Sequence, residues 1–146
     1  MSYAIGIEHN KKSTNLGTLM RSAYNFDASM VFTIGRRYDY QSSDTVKAYR
    51  HIPLIYFSDW KDFHAHIPMA WQPIGIEITE NAHSLANFVH PKQAIYILGA
   101  EDYGLSKEAL QALKTIVYIP SKHCLNVSVA GSIIMYDRQA KSRGKG

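Results

Sequence analysis

Short apolar runs and helix-length segments alternate along the chain. "YAIGIE" (3–8), "SMVFTIG" (29–35), "PLIYF" (53–57), "QPIGIEI" (72–78), "QAIYILG" (93–99) and "TIVYIP" (115–120) are rich in Ile, Val and Tyr and lack clean polar alternation. That is the pattern of strands buried on both faces of a parallel sheet. "TNLGTLMRSAYNF" (14–26) carries Leu16, Leu19, Met20 and Ala23 at helical spacing, with Ser13 or Thr14 expected as its N-cap. "SLANFV" (84–89) and "SKEALQALK" (106–114) predict further helices, and "NVSVAGSIIMYDRQAK" (126–141) predicts the closing one. A polar loop over 35–44, a short helix near 44–50 and another over Asp59–His66 complete the expectation. Strands alternating with helices in this way predict an α/β domain with a mostly parallel sheet flanked by helices, in which ligands bind at loops leaving the carboxyl ends of strands.

Length and composition support one folded domain: 146 residues, 46% hydrophobic and 12% aromatic, with no internal repeat. The net charge of +4 is informative only where it clusters, at Arg36 and Arg37, at Lys47 and Arg50, and in the tail "DRQAKSRGKG". Such clusters permit phosphate contact. Residues 142–146 are expected to form a flexible basic tail, with the domain over 1–141. The single cysteine, Cys124, excludes an intramolecular disulfide and a multi-cysteine metal site, and points to a reducing compartment. His64 and His66 diverge on a helix, so no metal site is expected. No apolar run reaches the roughly 18 residues of a membrane span, and the start lacks a basic stretch followed by an apolar one. A cytoplasmic protein without membrane contact is the expectation.

Three polar stretches, each following a strand, hold the candidate chemistry: "NLGTLMRSA" (15–23), "LGAEDYGLS" (98–106) and "IPSKHCLNVSVA" (119–130). The second has the two spaced glycines of a phosphate loop, but Leu105 stands where the lysine belongs, and Glu101 and Asp102 would repel a polyphosphate. A nucleotide hydrolase is therefore disfavoured. Asn15 reads either as a helix cap or as a site residue, and Arg21 either as a surface arginine along apolar groups or as a phosphate contact. Tyr38, Tyr40 and Tyr49 beside the arginines offer stacking on bases, though partly buried tyrosines are the commoner case.

Together, and in this order, the three stretches resemble the SpoU or TrmH-like family of RNA ribose 2′-O-methyltransferases of the SPOUT superfamily. The match runs through Asn15, Gly17 and Arg21, then Leu98, Gly99, Glu101, Gly104, Leu105 and Ser106, then Ile119, Pro120, Leu125, Asn126, Val127 and Ser128. The resemblance implies a C-terminal trefoil knot, S-adenosylmethionine bound among the knotted loops, an RNA substrate and a homodimer whose sites borrow residues across the interface. It makes Arg21, Asn15, Glu101, Asn126 and Ser128 the catalytic set. Leu98, Gly99, Ala100, Gly104, Ile119, Pro120, Cys124, Leu125 and Asn126 become the cofactor-binding set, with no metal required.

Cys124 departs from the serine that often precedes the Leu-Asn pair, and a thiol is a weaker hydrogen-bond partner than a hydroxyl. A small buried hydrophobe is the other reading of that residue. Glu101 is expected either to orient Arg21 by an ion pair or to satisfy backbone N–H groups of its loop. Gly99 and Gly104 are expected to let backbone approach the cofactor. The family modifies both tRNA and ribosomal RNA, and its minimal members resembling this chain include tRNA wobble-position enzymes, which puts tRNA ahead of ribosomal RNA. The competing class is a non-catalytic RNA-binding or assembly protein that keeps the fold.

Overall fold

The apolar runs form strands because their side chains are claimed from both sides. In β1 (Ser2–Glu8), Ile5 and Ile7 face one core and Ala4 the other, and only Ser2 at its start escapes burial. The computed structural model describes residues 2–35 and 51–143. After β1 come β2 (Met30–Ile34), β3 (Leu54–Phe57), β4 (Gln72–Ile76), β5 (His83–Ser84), β6 (Gln93–Leu98) and β7 (Ile116–Tyr118). They form one sheet in the order β3-β2-β1-β6-β4-β7-β5, with every pairing parallel. The expected mostly parallel α/β architecture is what the chain adopts.

One face is covered by α1 (Ser13–Asn25) and α4 (Val127–Arg143), whose Leu16, Leu19, Met20, Ile134 and Met135 meet Ile5, Ile7, Tyr96 and Leu98. The two helices are further joined by Ser22 Oγ and Ser132 Oγ at 2.9 Å. The other face holds α2 (Trp60–His66) and α3 (Lys107–Ala112). Phe63 stacks on Phe32 with ring centroids 5.1 Å apart, beside Phe57 and Trp60. Asp59 caps α2 by accepting from Asp62 N at 2.7 Å, and Ser106 caps α3 by accepting from Ala109 N at 3.1 Å.

A buried polar belt fixes the middle of α4. Arg138 donates to the carbonyls of Pro91 and Lys92 at 2.7 and 2.8 Å and to Tyr96 Oη at 3.0 Å. His90 Nδ1 lies 2.7 Å from that hydroxyl and its Nε2 lies 2.7 Å from Asp137 Oδ2. Burial pushes the Tyr96 hydroxyl up to about 12 and lowers the pKa of His90, the latter partly offset by Asp137. Tyr96 therefore stays a donor and His90 a neutral acceptor at Nδ1, which satisfies each member of the belt.

Three expectations are corrected. Residues 84–89 form no α-helix: after β5 the chain makes one 3-10 turn over Leu85–Asn87, with Ser84 Oγ accepting from Ala86 N at 3.3 Å. Only Leu85 of that turn is buried, too little apolar surface to stabilise a segment so short. α1 begins at Ser13 with Lys12 in the N-cap position, so neither Ser13 nor Thr14 caps it. α4 runs to Arg143, past the end expected from its pattern. The loop and helix expected over 36–50, with their arginines and tyrosines, and tail residues 144–146 lie outside the described residues. No helix among the described residues is long and apolar enough to cross a membrane.

Candidate active site

The carboxyl ends of β1, β4, β6 and β7 meet on one edge of the sheet, and the residues just beyond each strand shape the site. Glu8, at the end of β1, is 1% exposed and accepts from Ser106 N at 2.8 Å and Ser106 Oγ at 2.7 Å. Glu77, just past β4, accepts from Leu105 N at 2.9 Å and Ile78 N at 3.0 Å. Gly104 N donates to Ala100 O at 2.8 Å and closes the turn between them. The amides of Gly104, Leu105 and Ser106 are thus taken by the protein's own carboxylates and a carbonyl, the opposite of a phosphate cradle.

The glycines of this loop serve the loop itself. Gly104 sits at φ +66°, and a Cβ there would collide with the Glu77 carboxylate. A Cβ on Gly99 would run into the backbone of Gly104 and Leu105. The expected close approach to a ligand is therefore first a close approach of the loop to its own chain.

A cleft of about 400 Å³ opens between this loop, the segment after β7 and the residues after β4. Leu98, Gly99, Ala100 and Gly104 form one wall, Ile119, Cys124 and Leu125 a second. Pro120 follows Ile119 as an exposed residue, and Asn126 stands between Leu125 and the start of α4. Cys124 is exposed at this wall, not buried as a small core hydrophobe, because it lies on the loop rather than under the sheet. The third wall, Glu77, Ile78 and Thr79, carries no polar pattern that a sequence reading could separate from an ordinary strand end.

At the mouth of the cleft four of the predicted catalytic residues are hydrogen-bonded in one chain. Asn126 Nδ2 donates to Glu101 Oε1 at 2.6 Å and approaches Asn15 Oδ1 at 3.1 Å, while Asn15 Nδ2 donates to the same Glu101 oxygen at 3.1 Å. Asn126 Oδ1 faces the other way, accepting from Ser128 N at 3.0 Å and Ser128 Oγ at 2.6 Å, so Asn126 caps α4. Lys12 Nζ lies 3.3 Å from Glu101 Oε2. Hydrogen bonds from Asn15 first, and from Lys12 next, hold the Glu101 carboxyl below its usual pKa.

Glu101 bonds to two asparagine side chains and a lysine, while the N–H groups of Gly104, Leu105 and Ser106 go to Ala100, Glu77 and Glu8. Sequence reasoning also missed Lys11 and Lys12; the signal was a pair of adjacent lysines in the loop leaving the first strand. Arg21 is exposed on α1, about 9 Å further along the helix axis than Asn15.

The cleft suits S-adenosylmethionine. Its volume falls within the range of small-ligand sites, and its lining of Leu98, Ile119 and Leu125 suits an adenine ring. Thr79, in the third wall, has its Oγ1 buried without a hydrogen-bond partner among the described residues. Among the described residues no group of three or more His, Cys, Asp or Glu is arranged to hold a metal ion.

Solved structures share this fold. An AdoMet-bound rRNA methyltransferase from Sinorhizobium meliloti superposes with a TM-score of 0.83 at 21% identity, covering 96% of this chain and 56% of that one. A protein whose structure addresses 2-OH methylation of C/U34 on tRNA superposes at 0.84 and 18% identity, covering 98% and 97%. Sheet order and neighbours define an α/β fold with a parallel sheet flanked by helices. Residues 2–136 match the SpoU rRNA Methylase family, and the chain belongs to that family. Among curated proteins it is 28% identical over 145 residues to the tRNA (guanosine(18)-2′-O)-methyltransferase TARBP1 of Mus musculus, of which it spans 8% of the length.

Proposed function

We propose that this chain is an S-adenosylmethionine-dependent methyltransferase acting on a ribose 2′-hydroxyl of RNA, with tRNA favoured over ribosomal RNA. The observation that carries the reading is the cleft with the Asn15–Glu101–Asn126 chain at its mouth. Bound there, the cofactor supplies a methyl carbon made electrophilic by its sulfonium. Leu98, Gly99, Ala100, Gly104, Ile119, Pro120, Cys124, Leu125 and Asn126 make up its binding set, joined by Thr79.

The protein's own part is alignment and electrostatics. Glu101 holds both asparagine amides by one oxygen, which fixes where their remaining polar atoms point. Ser128 secures Asn126 from the helix side. Arg21 grips the phosphate next to the target ribose bidentately and stabilises the alkoxide that develops as the hydroxyl loses its proton. A guanidinium, with a pKa above roughly 12, serves better in that placement than as the proton acceptor, so the proton passes to water as the methyl leaves the sulfonium, which becomes a neutral thioether.

The reading includes a homodimer in the cytoplasm and the trefoil knot of the family. Tyr24 on α1 and Val129 and Tyr136 on α4, 48%, 47% and 62% exposed, give the dimer an apolar face of suitable character. Light scattering of the purified protein tests the dimer. Calorimetric titration with S-adenosylmethionine, followed by mass-spectrometric nucleoside mapping of RNA from a deletion strain, tests the function. Binding heat and a missing 2′-O-methyl are expected; RNA binding without cofactor heat would make the chain a non-catalytic RNA-binding protein.

A further inference from the structure

We propose that Tyr103 is a platform on which a base of the RNA substrate stacks, with Lys11 beside it as a phosphate contact. The inference rests on the RNA methyltransferase reading and adds to it a recognition element outside the family's motif residues. Tyr103 is 79% exposed, at the tip of the turn between Ala100 and Gly104. An aromatic ring left largely in water at that point buries little for the fold, yet it stands one residue from Asp102 and two from Glu101, at the rim of the cleft.

The turn that carries the ring is fixed from three sides, by Gly104 N on Ala100 O, by Leu105 N on Glu77 and by Ser106 on Glu8. A side chain presented on such a support loses little freedom when it binds, which favours its use as a contact. Lys11 Nζ lies 4.6 Å from the ring centroid and 3.2 Å from Asp102 Oδ2. A cation over one face leaves the remainder of a largely exposed ring for a flat partner. Both members of the Lys11–Asp102 pair are more than half exposed, so the pair is screened and readily exchanged for an RNA phosphate. Aromatic ring and cation side by side are what single-stranded nucleic acid uses, base on ring and phosphate on cation.

The occupant is therefore a nucleotide at or next to the methylated one, turned out of its stack toward the cleft. Wild type, Tyr103→Phe, Tyr103→Ala and Lys11→Ala are compared for binding of end-labelled unfractionated tRNA by fluorescence anisotropy over a salt series. S-adenosylmethionine affinity is measured in parallel by calorimetry. Tyr103→Ala is expected to weaken tRNA binding on the order of tenfold and Tyr103→Phe less than about twofold, because the flat face survives in Phe. Lys11→Ala is expected to lower the salt slope by about one.

Three results would overturn the inference: tRNA affinity unchanged in Tyr103→Ala, an equal loss of cofactor affinity, which would make Tyr103 a cover for the cofactor, or a change of oligomeric mass, which would make it a subunit contact. Wild type that binds tRNA through Tyr103 but shows no cofactor heat would sink the methyltransferase reading and leave the stacking role standing.

Discussion

Asn126 Nδ2 donates to Glu101 Oε1 at 2.6 Å, and that bond ties the first turn of α4 to the turn after β6. Because Asn126 also caps α4 through its other amide atom, the carboxylate and the helix start position one another. Disturbing either end moves the mouth of the cleft.

Glu101→Gln keeps an acceptor but brings in an NH₂ that must face one of two asparagine donors or Lys12. Methyl transfer is expected to fall about 10- to 100-fold, as misplacement near a reacting centre does, and cofactor affinity much less. The carboxyl is held below its usual pKa, so its contribution to stability is complete above the ordinary glutamate value of about 4.3 and is lost as pH falls through the lower folded value. The difference in melting temperature between variant and wild type at neutral pH should therefore shrink under acid, as measured at pH 7 and pH 3.

Gly104→Ala forces a Cβ into a left-handed backbone and against Glu77. A cost of about 1–2 kcal/mol from the backbone alone is expected, read as a melting temperature several degrees lower. Glu77 must also give up Leu105 N, so calorimetry should show weaker cofactor binding as well.

Arg21→Lys separates geometry from charge. If Arg21 grips phosphate bidentately, lysine restores little and methyl transfer stays at least about tenfold below wild type. Turnover left intact in Arg21→Lys would remove the bidentate role. Cofactor binding should be unaffected in either case.

His90 gives the fold a pH dependence of its own. Burial holds its folded pKa below the unfolded value near 6.5, so the stability it contributes is fully present above about pH 6.5 and is lost as pH falls through the folded value. Protonation would set a charge beside Arg138 and Lys141, with Asp137 as the only opposing group in the belt. Melting curves at pH 7.5 and 5.5 should show a larger drop for wild type than for His90→Gln, which cannot titrate.

Six of the seven strands and the two long helices were legible in the sequence because their apolar spacing is sustained; β5, two residues long, has none. At 84–89 the expected short helix is a single 3-10 turn over Leu85–Asn87, because six residues with one buried side chain cannot sustain a longer one. Asn15, Glu101, Asn126 and Ser128 were legible only through resemblance; spacing alone left Asn15 between a cap and a site residue, whereas in the structure Lys12 holds the N-cap position of α1 without a side-chain bond and Asn126 caps α4. Glu8 and Glu77 escaped notice entirely. Each is a lone acid at the end of an apolar strand, and its partners lie 98 and 28 positions further along the chain.

Sheet order, which no local pattern reveals, has a consequence for how the chain is made. β1 lies between β2 and β6, and its register with β6 pairs Ser2 with Gln93. On a ribosome, the first strand can reach β2 early but must wait for some ninety further residues, roughly 5–20 seconds of synthesis, before its other edge is covered. During that interval an almost wholly apolar strand shows an open row of N–H and C=O groups to solvent. The nascent chain should therefore lean on chaperones most between the appearance of β2 and that of β6, and ribosome-bound intermediates stalled in that window should be the most prone to aggregate.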